Sequence, residues 1–382
     1  MAIALPFLML ACDNGFGADV TLHPSGPPET VFDWSEDRCV DTHYPDAPAR
    51  AFRDSAGRIH LIASDNEPRF MFGTSLDALE PDCRTVMAPG GDSDPGHVSD
   101  QRWISSLLTR GGTHVWALLH HEFQGHRRPE LCRTGSYKAC WWNALTFARS
   151  EDGGRTFIEP VPPGHVVAAL PYPYEGDVGR PVGYFSPSNI VEHEGFAYAA
   201  FFAESYRRQR RGVCIMRTAT PDDPGSWRAW NGEAFAARLD GRAPGTGSDA
   251  DAVCMPVSPG RLASTLWTIV EHRPTGLFIG LTALVSGPAS EPAGIYVTTS
   301  RDLLDWSEPR LVWAAPLMFA FDCGAAAVYA YPALIDAKSD DLSFATVGAD
   351  ANLYLTRFNL SGCRLGQDRD LVHIPVEIVV ED

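Results

Sequence analysis

Short apolar runs paired across small polar turns recur five times along this chain. In the first copy, residues 51–53 and 58–63 flank Asp54-Ser55-Ala56-Gly57. In the second, 103–109 and 114–119 flank Arg110-Gly111-Gly112. The third pairs 188–191 with 196–202 across Glu192-His193-Glu194-Gly195, and the fourth pairs 265–270 with 277–281 across a turn ending in Gly276. The fifth pairs 333–335 with 342–347 across residues 336–341. Apolar runs joined through an Asp/Gly turn predict β-hairpins. A third run follows each hairpin, at 70–74, 143–149, 212–218, 294–299 and 353–358. These runs lead into polar turns that usually hold an Asp and an aromatic residue. They are Ser75-Leu76-Asp77, residues 150–157, residues 220–227, residues 300–306 and a fainter Asn359-Leu360-Ser361-Gly362. A fourth strand is expected after each turn.

Helical periodicity is nearly absent, and 30 prolines and 34 glycines punctuate the short runs, so the predicted class is all-β. Four antiparallel strands repeated five times predict a five-bladed β-propeller, an architecture that leaves only short, protected edges. A six-bladed ring with one degenerate blade and a pair of sandwiches are the competing arrangements. The expected organisation is a signal region with the start of the mature chain over 1–20, then one propeller domain over 21–382.

The formal charge of -17 argues against a nucleic-acid partner. The apolar start, residues 1–11, ends in a small residue before Cys12, like the end of a bacterial lipoprotein signal, though a basic leading segment is missing. The expectation is export to the periplasm or cell surface, with contact to a membrane only through a lipid on Cys12. Of nine cysteines, setting Cys12 aside leaves eight, with no CxxC pair to suggest zinc. An even set in an exported chain predicts disulfides, which we expect to join sequential neighbours, Cys132 with Cys140 foremost.

The turn Ser150-Glu151-Asp152-Gly153-Gly154-Arg155-Thr156-Phe157 resembles the Asp-box of sialidases and related propellers. In those families it marks the fold and lies away from the active site. The turn Ser300-Arg301-Asp302-Leu303-Leu304-Asp305-Trp306-Ser307 resembles its counterpart in five-bladed glycoside hydrolases of the family 43 type. That resemblance implies a carbohydrate substrate, no catalytic cofactor or metal, and room for a structural calcium or sodium ion in the central channel. It also implies an acidic base or nucleophile at the start of the first blade, where Pro45-Asp46-Ala47-Pro48 stands. Two further catalytic positions of the family are unmatched, since the third blade starts Ser186-Pro187-Ser188-Asn189 and the fourth Ser264-Thr265.

In a propeller the first strand of each blade starts at one mouth and the second strand returns to it. This rule makes Asp46, Glu122 and Glu204 the candidate catalytic carboxylates, with Glu122 the expected proton donor and Glu204 its rival. Asp65 or Asp350 is the candidate modulator of a neighbouring carboxyl. Arg50, Asn66, Arg69, His121, Ser188, Asn189, Tyr206 and Asp350 are the candidate substrate-binding residues. His121-Glu122-Phe123-Gln124-Gly125-His126 is one residue too long for a zincin pair. Residues 207–211, rich in arginine, suit a solvated loop or a sugar carboxylate or phosphate. The resulting expectation is an exported glycoside hydrolase using a carboxylate pair. The alternatives are a non-catalytic carbohydrate-binding propeller or a surface interaction protein.

Overall fold

The computed structural model describes residues 19–241 and 252–381; Cys12 and the rest of the expected signal region lie outside them. Five antiparallel blades follow one another along the chain. The first is Arg50–Arg53, Ile59–Ile62, Met71–Gly73 and Leu79–Pro81. The second is Gln101–Thr109, Val115–Gln124, Trp141–Ser150 and Val166–Ala168. The third runs from Val191–His193 through Phe196–Ala203 and Gly212–Thr218 to Arg228–Trp230, with Phe235–Ala237 outside it. The fourth is Leu266–His272, Leu277–Leu284, Gly294–Ser300 and Arg310–Ala314. The fifth is Ala327–Ile335, Asp350–Asn359 and Arg369–Glu381, and its outer strand is Asp19–Pro24 from the other end of the chain.

Five apolar clusters occupy the five seams between neighbouring blades. Phe52 and Ile62 meet Ile104 and Leu119 between the first and second blades. Phe147 meets Phe201 between the second and third, and Phe202 meets Phe278 and Trp306 between the third and fourth. Ile279 and Val297 meet Leu353, Ile374, Val20 and Leu22 between the fourth and fifth. Ala51 and Leu61 meet Ile335 and Tyr354 between the fifth and the first. The last two seams close the ring, so the fold is a five-bladed β-propeller. Phe201 and Phe202 are consecutive yet serve different seams, because successive strand side chains point to opposite faces. Inner strands buried on both faces therefore read as continuous apolar runs.

Strand Asp19–Pro24, close to the expected boundary at residue 21, is part of the last blade. The second and third blades are also joined. Strand Val182–Phe185 pairs in parallel with Trp142 and Asn143 on one side and antiparallel with Phe202 and Ala203 on the other.

The fifth blade departs from the sequence reading in its phase. Residues 346–347 pair in parallel with the inner strand of the fourth blade. The second strand of the fifth blade is Asp350–Asn359, the run expected to supply the third. Local hydrogen bonding explains the shift. The Asp336 carboxylate accepts from Lys338 N and Gly348 N, and Asp341 accepts from Ser343 N and Ala345 N, so the segment folds into side-chain-capped turns. Asp350 consequently begins its strand instead of ending one. It lies at the face opposite the mouth, exposed and paired with Lys338 at 2.8 Å.

Polar side chains join the inner strands around the channel. Ile104 N donates to Ser64 Oγ at 3.1 Å, Ser106 Oγ donates to Ser188 O, and Thr268 Oγ1 donates to Pro332 O at 3.0 Å. Asn189 donates to Ile269 O at 2.6 Å and accepts from Ile269 N at 2.8 Å. Arg50 crosses between blades, donating to Ser105 O and Trp267 O at 2.7 Å each and to Ala49 O at 3.0 Å.

Candidate active site

The mouth of the ring holds a two-lobed cleft, with one lobe of about 620 Å³ and the other of about 270 Å³. Asp46, Trp103, Glu122, Trp141, Phe319 and Tyr331 line both lobes and form the junction.

Asp46 stands between Pro45 and Pro48 in the segment that enters the first inner strand. Its Oδ1 receives Arg369 Nη1 in a short charged hydrogen bond and Tyr331 OH at 3.2 Å. Arg369 starts the third strand of the fifth blade, and its guanidinium lies 4.3 Å from the Tyr44 ring and 4.5 Å from that of Phe358. Tyr331 precedes Pro332 at a bulge where the strand register shifts, with a φ of 58°. A bulge redirects a side chain, and here it aims the phenol at Asp46. Burial raises the Asp46 pKa, while Arg369 opposes that shift and favours the charged form.

Glu122 lies near the end of the second strand of its blade, opposite Gln101. Its Oε2 accepts from Gln124 Nε2 at 2.8 Å and Tyr137 OH at 3.1 Å. Burial pushes its pKa up to about 8, against the hydrogen bonds from Gln124 and Tyr137. Tyr137 is held by stacking on Trp141, with ring centres 4.6 Å apart. The buried indole N–H of Trp141 has no acceptor among the described residues.

Asp65 lines the larger lobe, and burial raises its pKa to about 8 despite Arg69 at 3.5 Å. Arg69 itself is buried, bonded to Asp65, Glu67 and the carbonyls of Glu67 and Cys83, so it acts on the cleft through those acids. Asn66 lines the same lobe and accepts from Arg102 N at 3.0 Å. Glu204 lines the smaller lobe, paired with Arg211 at 3.1 Å.

Other expected binding residues lie away from the cleft. Arg50, Ser188 and Asn189 are buried below it, where their polar groups join the blades. His121 points away from Glu122 by strand alternation, and its Nε2 accepts from Asp100 N at 3.0 Å. Tyr206 packs against Trp142 and Tyr172 and donates to Glu175. Asp350 is on the opposite face. Of the arginine-rich loop, Arg211 alone lines the cleft, and Arg207 pairs with Glu175 at 3.4 Å. Among the described residues, the one close grouping of three metal-binding residue types is Cys132, Cys140 and Asp177, where both sulfurs are in a disulfide.

Sequence reasoning did not single out Arg369, Tyr137, Gln124 or Phe319. Gln124 belonged to the segment that drew attention for its His-Glu motif. Arg369 and Phe319 carried no local signal, since their place follows from ring closure.

No protein-family model matches this sequence, and neither does any curated protein. Solved structures similar in fold include the catalytic domain of a Coprinopsis cinerea GH62 alpha-L-arabinofuranosidase, at 9% identity and a TM-score of 0.49, covering 93% of this chain and 96% of that one. An N-acetylgalactosamine deacetylase from F. plautii, in complex with blood group B trisaccharide, gives 10% identity and a TM-score of 0.48, with 94% and 95% coverage. A xylan beta-1,4-xylosidase from Bacillus Halodurans C-125 gives 8% and 0.46, with 89% of this chain covered. This chain spans about half of that xylosidase, the covered share being 53%. At these identities the likeness is one of fold.

Proposed function

We propose that this protein is a glycoside hydrolase in which Glu122 is the general acid and Asp46 the base or nucleophile. The supporting observation is that two carboxyl groups line one junction with different partners. Asp46 is paired with a guanidinium, whereas Glu122 is held by an amide and a phenol and retains its proton to about pH 8. Burial raises the pKa of both carboxyls, and the guanidinium on Asp46 is what favours its charged form, so the division of acid from base duties rests on that ion pair. In the reaction, Glu122 gives its proton to the glycosidic oxygen as the bond to the anomeric carbon breaks. Asp46 either takes a proton from the attacking water or attacks the anomeric carbon itself, and the anomer of the product distinguishes these routes.

Four disulfides fit folding in an oxidising compartment, so we place the protein outside the cytoplasm, in the periplasm or at the cell surface with a lipid on Cys12. Turn 150–157 serves as a fold marker of the Asp-box type.

The test is cleavage of a panel of oligosaccharides, followed by chromatography of the products. Asp46→Asn and Glu122→Gln should each lower kcat at least ~100-fold while the fold is retained. Full activity in either variant would remove that residue from the mechanism. Tight glycan binding without cleavage by the parent protein would support a binding propeller instead.

A further inference from the structure

We infer that the larger lobe of the cleft accepts an anionic sugar, one bearing a carboxylate or sulfate group, with Arg127 and Lys138 as the receiving cations. The inference rests on the cleft being the carbohydrate site and adds the class of sugar. Its first support is the charge left over after the lobe's internal pairings. Asp46 is engaged by Arg369, and the single guanidinium of Arg69 meets both Glu67 and Asp65, whose pKa burial raises to about 8. Glu122 is kept protonated to about pH 8 by burial. Arg127 and Lys138 line the same lobe, are exposed, and have no carboxylate partner among the described residues. The lobe is therefore cationic within a chain whose formal charge is -17.

The second support is how these cations are presented. Both sit on the segment between strands Val115–Gln124 and Trp141–Ser150, which also supplies Tyr137 to Glu122. A disulfide between Cys132 and Cys140 closes the part of this segment that carries Lys138. The Asp177 carboxylate binds it from below, accepting from Arg133 N at 3.1 Å, Thr134 N at 3.0 Å and Thr134 Oγ1 at 2.6 Å. The neighbouring Arg128 is used for anchoring, with hydrogen bonds of 2.9 and 3.1 Å to Asp100. Adjacent arginines thus have separate duties, one fixing the loop and the other facing the lobe. Cations on a stapled loop lose little freedom when they bind an anion, which favours recognition over a loosely solvated charge.

Phe319 lines the same lobe and its junction with the smaller one, 75% exposed, in a turn closed by the Leu317–Ala320 bridge. The chain following it is tied down by the disulfide between Cys323 and Cys363. An exposed aromatic at a cleft suits the apolar face of a pyranose ring, and it leaves the ring's charged substituent to the lobe's cations. A sugar acid or sulfated sugar has both features.

The experiment uses the Glu122→Gln protein, so that binding is read without turnover. Calorimetry measures trisaccharides of galacturonic acid, of a sulfated galactan and of neutral xylose. At least one anionic probe should bind about tenfold more tightly than the neutral one, as two exposed ion pairs allow. That advantage should shrink severalfold between roughly 20 mM and roughly 300 mM NaCl. Adding Arg127→Gln and Lys138→Gln should bring the anionic probe to within about threefold of the neutral one, with the thermal midpoint unchanged. The two anionic arms identify which group is read. Neutral binding equal to or tighter than both anionic probes, or a preference that survives the double substitution, overturns the inference and leaves the carbohydrate cleft standing. Failure of all three probes to bind overturns both.

Discussion

Glu122 combines a catalytic demand with a cost to stability. Its pKa of about 8 lies above the ordinary carboxyl value of 4.5, so the folded chain keeps a proton that the unfolded chain releases in this window. The folded state then binds more protons, and stability falls as pH rises from about 4.5 to about 8, levelling off beyond. Glu122→Gln removes the ionisable group. We expect this variant to melt above the parent protein at about pH 9 and alike at about pH 4.5, by calorimetry at both values. Equal midpoints at the higher pH would mean that Glu122 ionises freely in the fold. The same proton predicts that activity declines as pH passes about 8. Arg369 controls the other limb of the profile. Its guanidinium favours the Asp46 carboxylate, so Arg369→Met should raise the Asp46 pKa and move the acidic limb of kcat/KM to higher pH. An unmoved limb with a lower kcat would assign Arg369 to substrate contact alone.

Among the elements, the polar turns are the most legible from sequence. In residues 150–157 the Asp152 carboxylate accepts from Arg155 N and Thr156 N at 3.0 Å, while Ser150 Oγ accepts from Gly154 N at 2.8 Å. The turn at Ser300 repeats this, with Asp302 accepting from Leu304 N at 2.9 Å and Asp305 N at 2.8 Å. Phe157 and Trp306 are buried beside them. Gly154 adopts a φ of 83°, and an added Cβ would lie 2.4 Å from the Phe52 ring. Gly154→Ala should therefore destabilise the protein by about 1–3 kcal/mol in urea unfolding. A change below about 0.5 kcal/mol would show that the turn and Phe52 yield easily. The first four hairpins were equally legible, since their signals lie within a few residues. The fifth blade was misphased because 342–347 is as apolar as a blade strand, while the Asp336 and Asp341 turns that divert it depend on local geometry.

The whole molecule depends on closure of the ring by its first described strand. Val20 and Leu22 enter the seam between the fourth and fifth blades, and Asp19–Pro24 pairs along Arg369–Glu381. Leu22→Ala should cost about 2–5 kcal/mol, a core loss despite its place near the start of the described chain. Proteolysis and thermal melting would measure it, and a loss under about 1 kcal/mol would mean the ring closes without this strand. The four disulfides join sequential cysteines, in keeping with the expected pattern. Three of them span 40 to 44 residues, where the chain-entropy model assigns about 4 kcal/mol each.

The amino-acid sequence by itself determined the all-β class, the count of five hairpins, the Asp-bearing turns and the set of cysteines. Each of these is written in residues a few places apart, where periodicity and turn chemistry act. Tertiary structure alone decided the composition of the cleft. It set Arg369 on Asp46 across 323 positions, aimed Tyr331 by a bulge, and buried Glu122 beneath Tyr137. It also moved Arg50, Ser188 and Asn189 from the expected binding surface into the joints between blades. The reason is that proximity across a closed ring and the loss of water around a carboxyl depend on the packing of distant strands, which no local pattern encodes.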